Sequence, residues 1–225
     1  PDRESEFLSL LDVAMTEAQT VRDRCRVAGS IGPLGASYRP DLHPDVETAV
    51  PLYAEVARHI AAQADILLFE TVASLEAGRA ALEAGRQTDR PVWLSFTVDD
   101  TDGGLLRSGE PVREAARIAA DADAALINCS APEIIPQALD ALATSGRPIG
   151  AYANGFERIT NDFIKGGTTV DGLSARRDLG PEVYAAHAMS WLDHGATIVG
   201  GCCEVGPAHI KEIASRLTAA GHAIV

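Results

Sequence analysis

Two cysteines stand side by side in the stretch IVGGCCEVGPAHI, at Cys202 and Cys203, and a third, Cys129, lies upstream in INCS. Adjacent cysteines cannot close an ordinary disulfide without strain, and in a regular strand their side chains point to opposite faces. Three thiolates, by contrast, match a catalytic zinc site, in which a tetrahedral ion with three protein ligands keeps one position for a substrate. Gly200 and Gly201 precede the pair and would let the backbone twist until both sulfurs reach one ion. Other readings use the same residues. Free cysteines commonly serve as small buried hydrophobes. A vicinal pair can act as a metal-free redox switch with no need of Cys129, and a metal-binding regulatory protein would use the sulfurs without an open position. Cys25 stands apart and reads as structural.

The sulfurs cooperate only if the fold gathers them. Short apolar runs at residues 26–32, 65–71, 91–97, 124–130, 148–154 and 196–201 are nearly continuous, as expected of parallel strands covered on both faces. Alanine-rich helical patterns separate them, such as SLEAGRAALEAGRQ from Ser74 and PVREAARIAADA from Pro111. Pro111 and Pro181 suit the first position of a helix, where no N–H is needed. This alternation predicts a parallel α/β fold. Polar residues collect just after the strands: Glu70, Ser95, Thr97, Asn128, Cys129, Asn154, Cys202 and Cys203. A (β/α)8 barrel of the TIM type brings all such strand ends into one ring, whereas an open doubly wound sheet spreads them along an edge. The barrel is therefore the expected class.

A barrel needs eight strands and the chain supplies six. Residues 4–25 carry the period of an amphipathic helix, with Phe7, Leu8, Leu11, Val13 and Ala14 among its apolar positions. The pattern starts without a preceding strand, so the first two strands are expected to lie outside this sequence, with residues 1–225 forming one N-terminally incomplete barrel domain. A closed six-stranded barrel is the less favoured arrangement.

Composition bounds the function. The chain has 225 residues, 46% hydrophobic and 23% charged, with a formal charge of −13. That charge argues against a nucleic-acid partner, which calls for basic patches. No apolar run nears the ~20 residues of a membrane span, and PDRESEFLSL does not read as a signal peptide. Four cysteines without a secretory signal predict reduced thiols in a cytoplasmic protein. Oligomeric state is left open.

These motifs resemble the homocysteine S-methyltransferase family. The resemblance rests on GGCCEVGPAHI, INCS, GSIGPLGAS, LLFETVAS, GAYANGF and WLDHGATIVGG, which follow one another in the family's order from Gly29 to Ile210. It implies a (β/α)8 barrel with zinc held by Cys129, Cys202 and Cys203, and methyl transfer from a small donor to homocysteine in methionine biosynthesis. It also implies that Glu70 holds the homocysteine ammonium group. Asn154 is then a candidate to bridge substrate or fix its loop, Asn128 to support Cys129, and Ser95 and Thr97 to line the site. His209 reads as a helix-end residue, since a fourth protein ligand would block the substrate. The stretch NDFIKGGTT lacks P-loop spacing. Two features depart from the family pattern. Its first-strand Asp-Gly-Gly type motif has no counterpart here, and Glu204 stands where many relatives have arginine. The resemblance looks closest to the branch that uses sulfonium donors, S-methylmethionine or S-adenosylmethionine.

Overall fold

A computed structural model describes residues 4–157, 159 and 172–225. Six parallel strands form one sheet in sequence order: β1 (Ala28–Ile31), β2 (Ile66–Val72), β3 (Val92–Phe96), β4 (Ala124–Asn128), β5 (Ile149–Tyr152) and β6 (Ala196–Val199). Among the described residues β1 and β6 each pair on one side only, so the sheet does not close. It is a partial barrel of the expected class, and the closed six-stranded alternative does not occur. All six predicted strands are present. Burial on both faces holds for β4, whereas β1 alternates exposed and buried residues, as suits an edge strand.

The helices are α1 (Glu4–Gln19), α2 (Val46–Ala61), α3 (Leu75–Gly85), α4 (Val112–Ala119), α5 (Ile135–Leu142), α6 (Pro181–Asp193) and α7 (Pro207–Ala219). Small residues set their distance from the sheet. Ala77, Ala80, Ala81 and Ala84 of α3 are buried, which lets that helix lie close over the strands. Ser74 caps it by accepting from the Ala77 N–H, and Asp45 caps α2 in the same way through Thr48. Trp191 and Tyr184 of α6 are fully buried and meet edge to face at 5.9 Å. Pro181 opens α6 as expected, but Pro111 is the cap before α4 rather than its first residue.

The first helix is shorter and less buried than its pattern predicts. It stops at Gln19, and the chain then turns through residues 20–24. Its main neighbour is α2, so only a narrow stripe packs inward, formed by Leu11, Met15 and Ala18. Phe7 and Val13 are 45% and 61% exposed, and Ala14 is exposed too.

The sheet carries two register shifts, one near the C-terminal end of β2 and one at the start of β5 and β6. The step from Phe69 to Val72 in β2 matches the shorter step from Leu94 to Phe96 in β3, so β2 carries one extra residue around Glu70 and Thr71. Between β5 and β6 the step from Ile149 to Gly150 matches that from Ala196 to Ile198. The second shift depends on Gly150, because a Cβ there would stand 2.2 Å from the Ile198 carbonyl oxygen. Gly150→Ala should therefore push β6 away and cost at least ~2 kcal/mol. Urea denaturation should show a lowered midpoint, and an unchanged midpoint would mean that β6 shifts without loss.

Candidate metal centre

The shared direction of the strands carries β4 and β6 to the same rim. Cys129 directly follows β4, and Cys202 and Cys203 follow β6. Residues extending β5 tie the two loops together. The Cys129 N–H donates to the Tyr152 carbonyl at 3.3 Å and the Asn154 N–H to that of Ser130 at 3.2 Å. On the other side, the Cys202 N–H donates to Ala153 at 2.9 Å and the Gly155 N–H to Cys203 at 2.8 Å.

The sulfurs converge. The Sγ atoms of Cys129 and Cys203 are 3.9 Å apart, those of Cys202 and Cys203 are 3.8 Å apart, and all three lie within 4.8 Å of one another. A tetrahedral ion with metal–sulfur bonds of ~2.3 Å needs sulfur–sulfur edges of about 3.8 Å. The residues therefore fit a metal ion. Tyr38, Phe156 and Ile159 pack with Cys129, with Cys202, Cys203 and Leu173 against them, which gives the sulfurs an apolar wall.

The turn chemistry differs in detail from the sequence expectation. Gly201 is the tighter of the two glycines: a Cβ there would lie 2.1 Å from a Val205 methyl, whereas at Gly200 the nearest atom is the Tyr152 Cβ at 3.5 Å. The left-handed conformations fall instead on Cys129 (φ 49°) and Glu204 (φ 63°).

Hydrogen bonds from Cys129 and Cys202 pull the Cys203 thiol down to about 3. The Cys202 thiol is pushed far up by its bonds to Cys129 and Cys203 and by burial. For Cys129 the bond with Cys202 pulls down, but the Cys203 bond, burial and the Cys203 charge push it up to about 11. The three thiols thus bias one another, Cys203 downward and Cys202 and Cys129 upward.

Glu70 lies within the irregular part of β2. It accepts from the Ser30 hydroxyl on β1 and, at 3.0 Å, from the Tyr152 hydroxyl on β5. Burial, then the charge of Glu70, holds the Tyr152 phenol well above its usual range, so it remains a donor. Asn154 is buried; its Oδ1 accepts from the Phe156 N–H, and its Nδ2 has no partner among the described residues. Asn128 is fully engaged: its Oδ1 accepts from the Thr71 N–H and the Ser95 hydroxyl, and its Nδ2 donates to the Thr71 hydroxyl. Thr97 donates its hydroxyl to the Cys129 carbonyl at 3.2 Å. Ser95, Thr97 and Asn128 thus spend their polar groups inside the protein. His209 is a helix-start residue, its Nδ1 accepting from the Gly206 N–H and its Nε2 lying 3.2 Å from the Leu179 carbonyl. Cys25 is exposed and distant from the sulfur cluster in the fold. The NDFIKGGTT stretch lies outside the described residues.

Several site residues carry no motif of their own. Tyr152 lies inside the GAYANGF stretch, but only strand alternation, which puts it on the same face as Asn154, marks it for the site. Tyr38, Asp100 and Arg107 lie on loops, and no spacing marks them.

Fold and site together define a parallel β/α protein of barrel type with a three-sulfur centre suited to a metal ion. A family model described as homocysteine S-methyltransferase matches residues 2–217, and the chain belongs to that family. It is 28% identical over 218 residues to homocysteine S-methyltransferase YbgG of Bacillus subtilis, covering 90% of this chain and 64% of that protein. It is 31% identical over 159 residues to homocysteine S-methyltransferase 4 of Zea mays, covering 67% of this chain and 43% of that protein. The chain thus spans roughly half to two thirds of the length of these curated relatives. The metallated form of the homocysteine methyltransferase MmuM from Escherichia coli superposes with a TM-score of 0.75 at 25% identity, covering 95% of this chain and 72% of that one. No helix among the described residues is long and apolar enough to cross a membrane.

Metal analysis of the loaded protein should give about one ion per chain, and the Cys129→Ser, Cys202→Ser double variant should lose it. Because coordinating thiols must be deprotonated, affinity should strengthen from ~pH 6 to ~pH 8 and weaken in the reverse direction. Chelator competition across that range checks the sign, and a flat profile would contradict coordination through thiolates.

Proposed function

We propose that the chain catalyses zinc-dependent transfer of a methyl group from a sulfonium, S-methylmethionine or S-adenosylmethionine, to the thiol of homocysteine, giving methionine. The observation that carries this reading is the set of three sulfurs whose spacing suits a tetrahedral ion with one position left over. Family membership supports the same chemistry. Cys129, Cys202 and Cys203 would hold the ion. When bound, it supplies a thiolate at neutral pH, because coordination deprotonates a thiol that is otherwise mostly protonated.

The chain's own residues bind and orient. Glu70 offers its carboxylate to the ammonium group of homocysteine and is aimed by Ser30 and Tyr152. The unpartnered Nδ2 of Asn154 is a donor suited to the amino acid's carboxylate. Ser95, Thr97 and Asn128 act behind this surface, holding Thr71 and the Cys129 carbonyl. Tyr38, Phe156 and Ile159 limit water beside the sulfurs.

In the transfer, the homocysteine thiol releases its proton to solvent and its sulfur uses a lone pair to form the new S–CH3 bond. The donor's C–S bond breaks, and its electron pair leaves with a neutral thioether. An anionic acceptor and a cationic donor neutralise each other, a gain that grows where water is scarce. Exposed Glu204, beside Cys203, adds negative charge at the rim and favours a cationic donor.

Homocysteine supplied with each donor separately should yield methionine with S-methylmethionine first and S-adenosylmethionine second; turnover with betaine alone would overturn the sulfonium assignment. Glu70→Gln should raise the homocysteine KM by ~10–100-fold, since a hydrogen bond to a charged group is worth ~1.5–3 kcal/mol, while metal content stays unchanged. An unchanged KM would place Glu70 in structure instead.

A further inference from the structure

The loop between β3 and α4 folds back on itself beside Cys129. Antiparallel bridges join Val98 to Leu106 and Leu105 to Pro111. Asp100 and Arg107 face each other across this small hairpin, with side chains 9% and 7% exposed. The pairing is two-pronged: Arg107 Nη2 donates to Asp100 Oδ1 at 2.8 Å and Nη1 to Oδ2 at 3.2 Å. Asp100 also accepts from the Ala131 N–H at 3.1 Å and the Ile159 N–H at 3.3 Å, which ties the loops after β4 and β5 to the hairpin.

Arg107 has donors left over, and they turn to Cys129. Nη2 lies 3.4 Å from the Cys129 carbonyl oxygen, and Nε donates to the Thr97 hydroxyl at 3.4 Å, which itself donates to that same carbonyl. The guanidinium also stacks 5.2 Å from the centre of the Tyr38 ring. Tyr38 in turn packs against Cys129. Cys129 is thus held through its carbonyl by Thr97 and Arg107, with Tyr38 packed against it. Such a grip is what a non-glycine residue at φ 49° requires, since that conformation persists only where the surroundings over-determine it.

We propose that Arg107, locked by Asp100, is a positioning residue for the metal centre, holding Cys129 so that its sulfur meets those of Cys202 and Cys203. The inference rests on the metal-binding reading above. It is a geometric role rather than a charge role, because Asp100 neutralises Arg107 and the pair adds no net charge beside the thiolates. It also requires arginine, since a lysine cannot bond both Asp100 oxygens, reach Thr97 and Cys129, and present a flat face to Tyr38.

Arg107→Lys keeps the buried charge paired and removes the fork. Cobalt(II) and zinc affinity, measured by chelator competition on the folded protein, should fall by ~10–100-fold, the usual effect of losing a residue that orients a ligand. The thiolate-to-cobalt absorption should weaken toward that of a two-sulfur site. Arg90→Lys, at the opposite end of the sheet where Arg90 bonds the Ala61 carbonyl, serves as the control and should bind cobalt like the parent. Should Arg107→Lys fail to fold, the uncharged Asp100→Asn, Arg107→Gln pair carries the same expectation. Parental affinity and spectrum in a folded variant, with only the unfolding temperature lowered, would overturn the proposal and leave Arg107 as a loop fastener. A parent protein that binds neither metal would overturn the metal-binding reading and this proposal with it.

Discussion

Everything at the rim depends on holding sulfurs from two strands that do not touch each other. Cys129 follows β4 and the Cys202–Cys203 pair follows β6, with β5 between them. The backbone of residues 152–155 bridges that gap, donating and accepting hydrogen bonds on both sides beyond the end of the strand. Each such bond contributes only about 1 kcal/mol net. Their geometric effect is larger, because a change of one residue in register moves a side chain to the other face of the sheet. The shift at Gly150 is therefore part of the site, although it lies at the far end of β5.

The opposing tendency comes from the sulfurs themselves. Their contacts pull the Cys203 thiol down and push that of Cys202 up, so the three do not ionise independently. Three anionic sulfurs this close would repel one another, so the protein scaffold must hold the cluster together before any cation compensates the charge. Burial of Cys129 against Tyr38, Phe156 and Ile159 contributes the apolar half of that restraint. Hydrogen bonds through Thr97 and Arg107 contribute the polar half.

Strands, their order and the gathering of polar residues at one edge were legible in the sequence, because continuous apolar runs and intervening helices leave few alternatives. The cysteines were legible by type and position. Their mutual distance was not, since it depends on how residues 152–155 bond the two cysteine loops and on the shift at Gly150, and neither has a sequence signature. Burial of α1 was misjudged for a related reason: periodicity identifies an apolar stripe but not how wide a neighbour covers it. Asp100 and Arg107 were invisible because a buried ion pair inside a loop resembles two solvated charges until the loop's hairpin is known. Tyr38 stands at φ 63° in an ordinary-looking turn, where tyrosine is not the residue that pattern reasoning expects.

That last feature is not isolated. The non-glycine residues with left-handed backbones among those described are Tyr38, Thr71, Cys129 and Glu204. Each follows or ends a strand at the same rim: Tyr38 after β1, Thr71 near the end of β2, Cys129 after β4 and Glu204 after β6. Such conformations cost ~1–3 kcal/mol apiece and persist only where neighbours hold them. Here the neighbours are identifiable. Asn128 bonds both the N–H and the hydroxyl of Thr71, Thr97 and Arg107 hold the Cys129 carbonyl, and Tyr38 lies under the Arg107 guanidinium. The opposite end of the sheet carries none of these strained residues; there Asp65 and Asp123 simply accept the Val27 and Val92 N–H groups. Strain and the polar groups that sustain it are concentrated at the rim that carries the sulfurs, the carboxylate and the amide, and the rest of the chain is a packed support that makes that concentration tolerable.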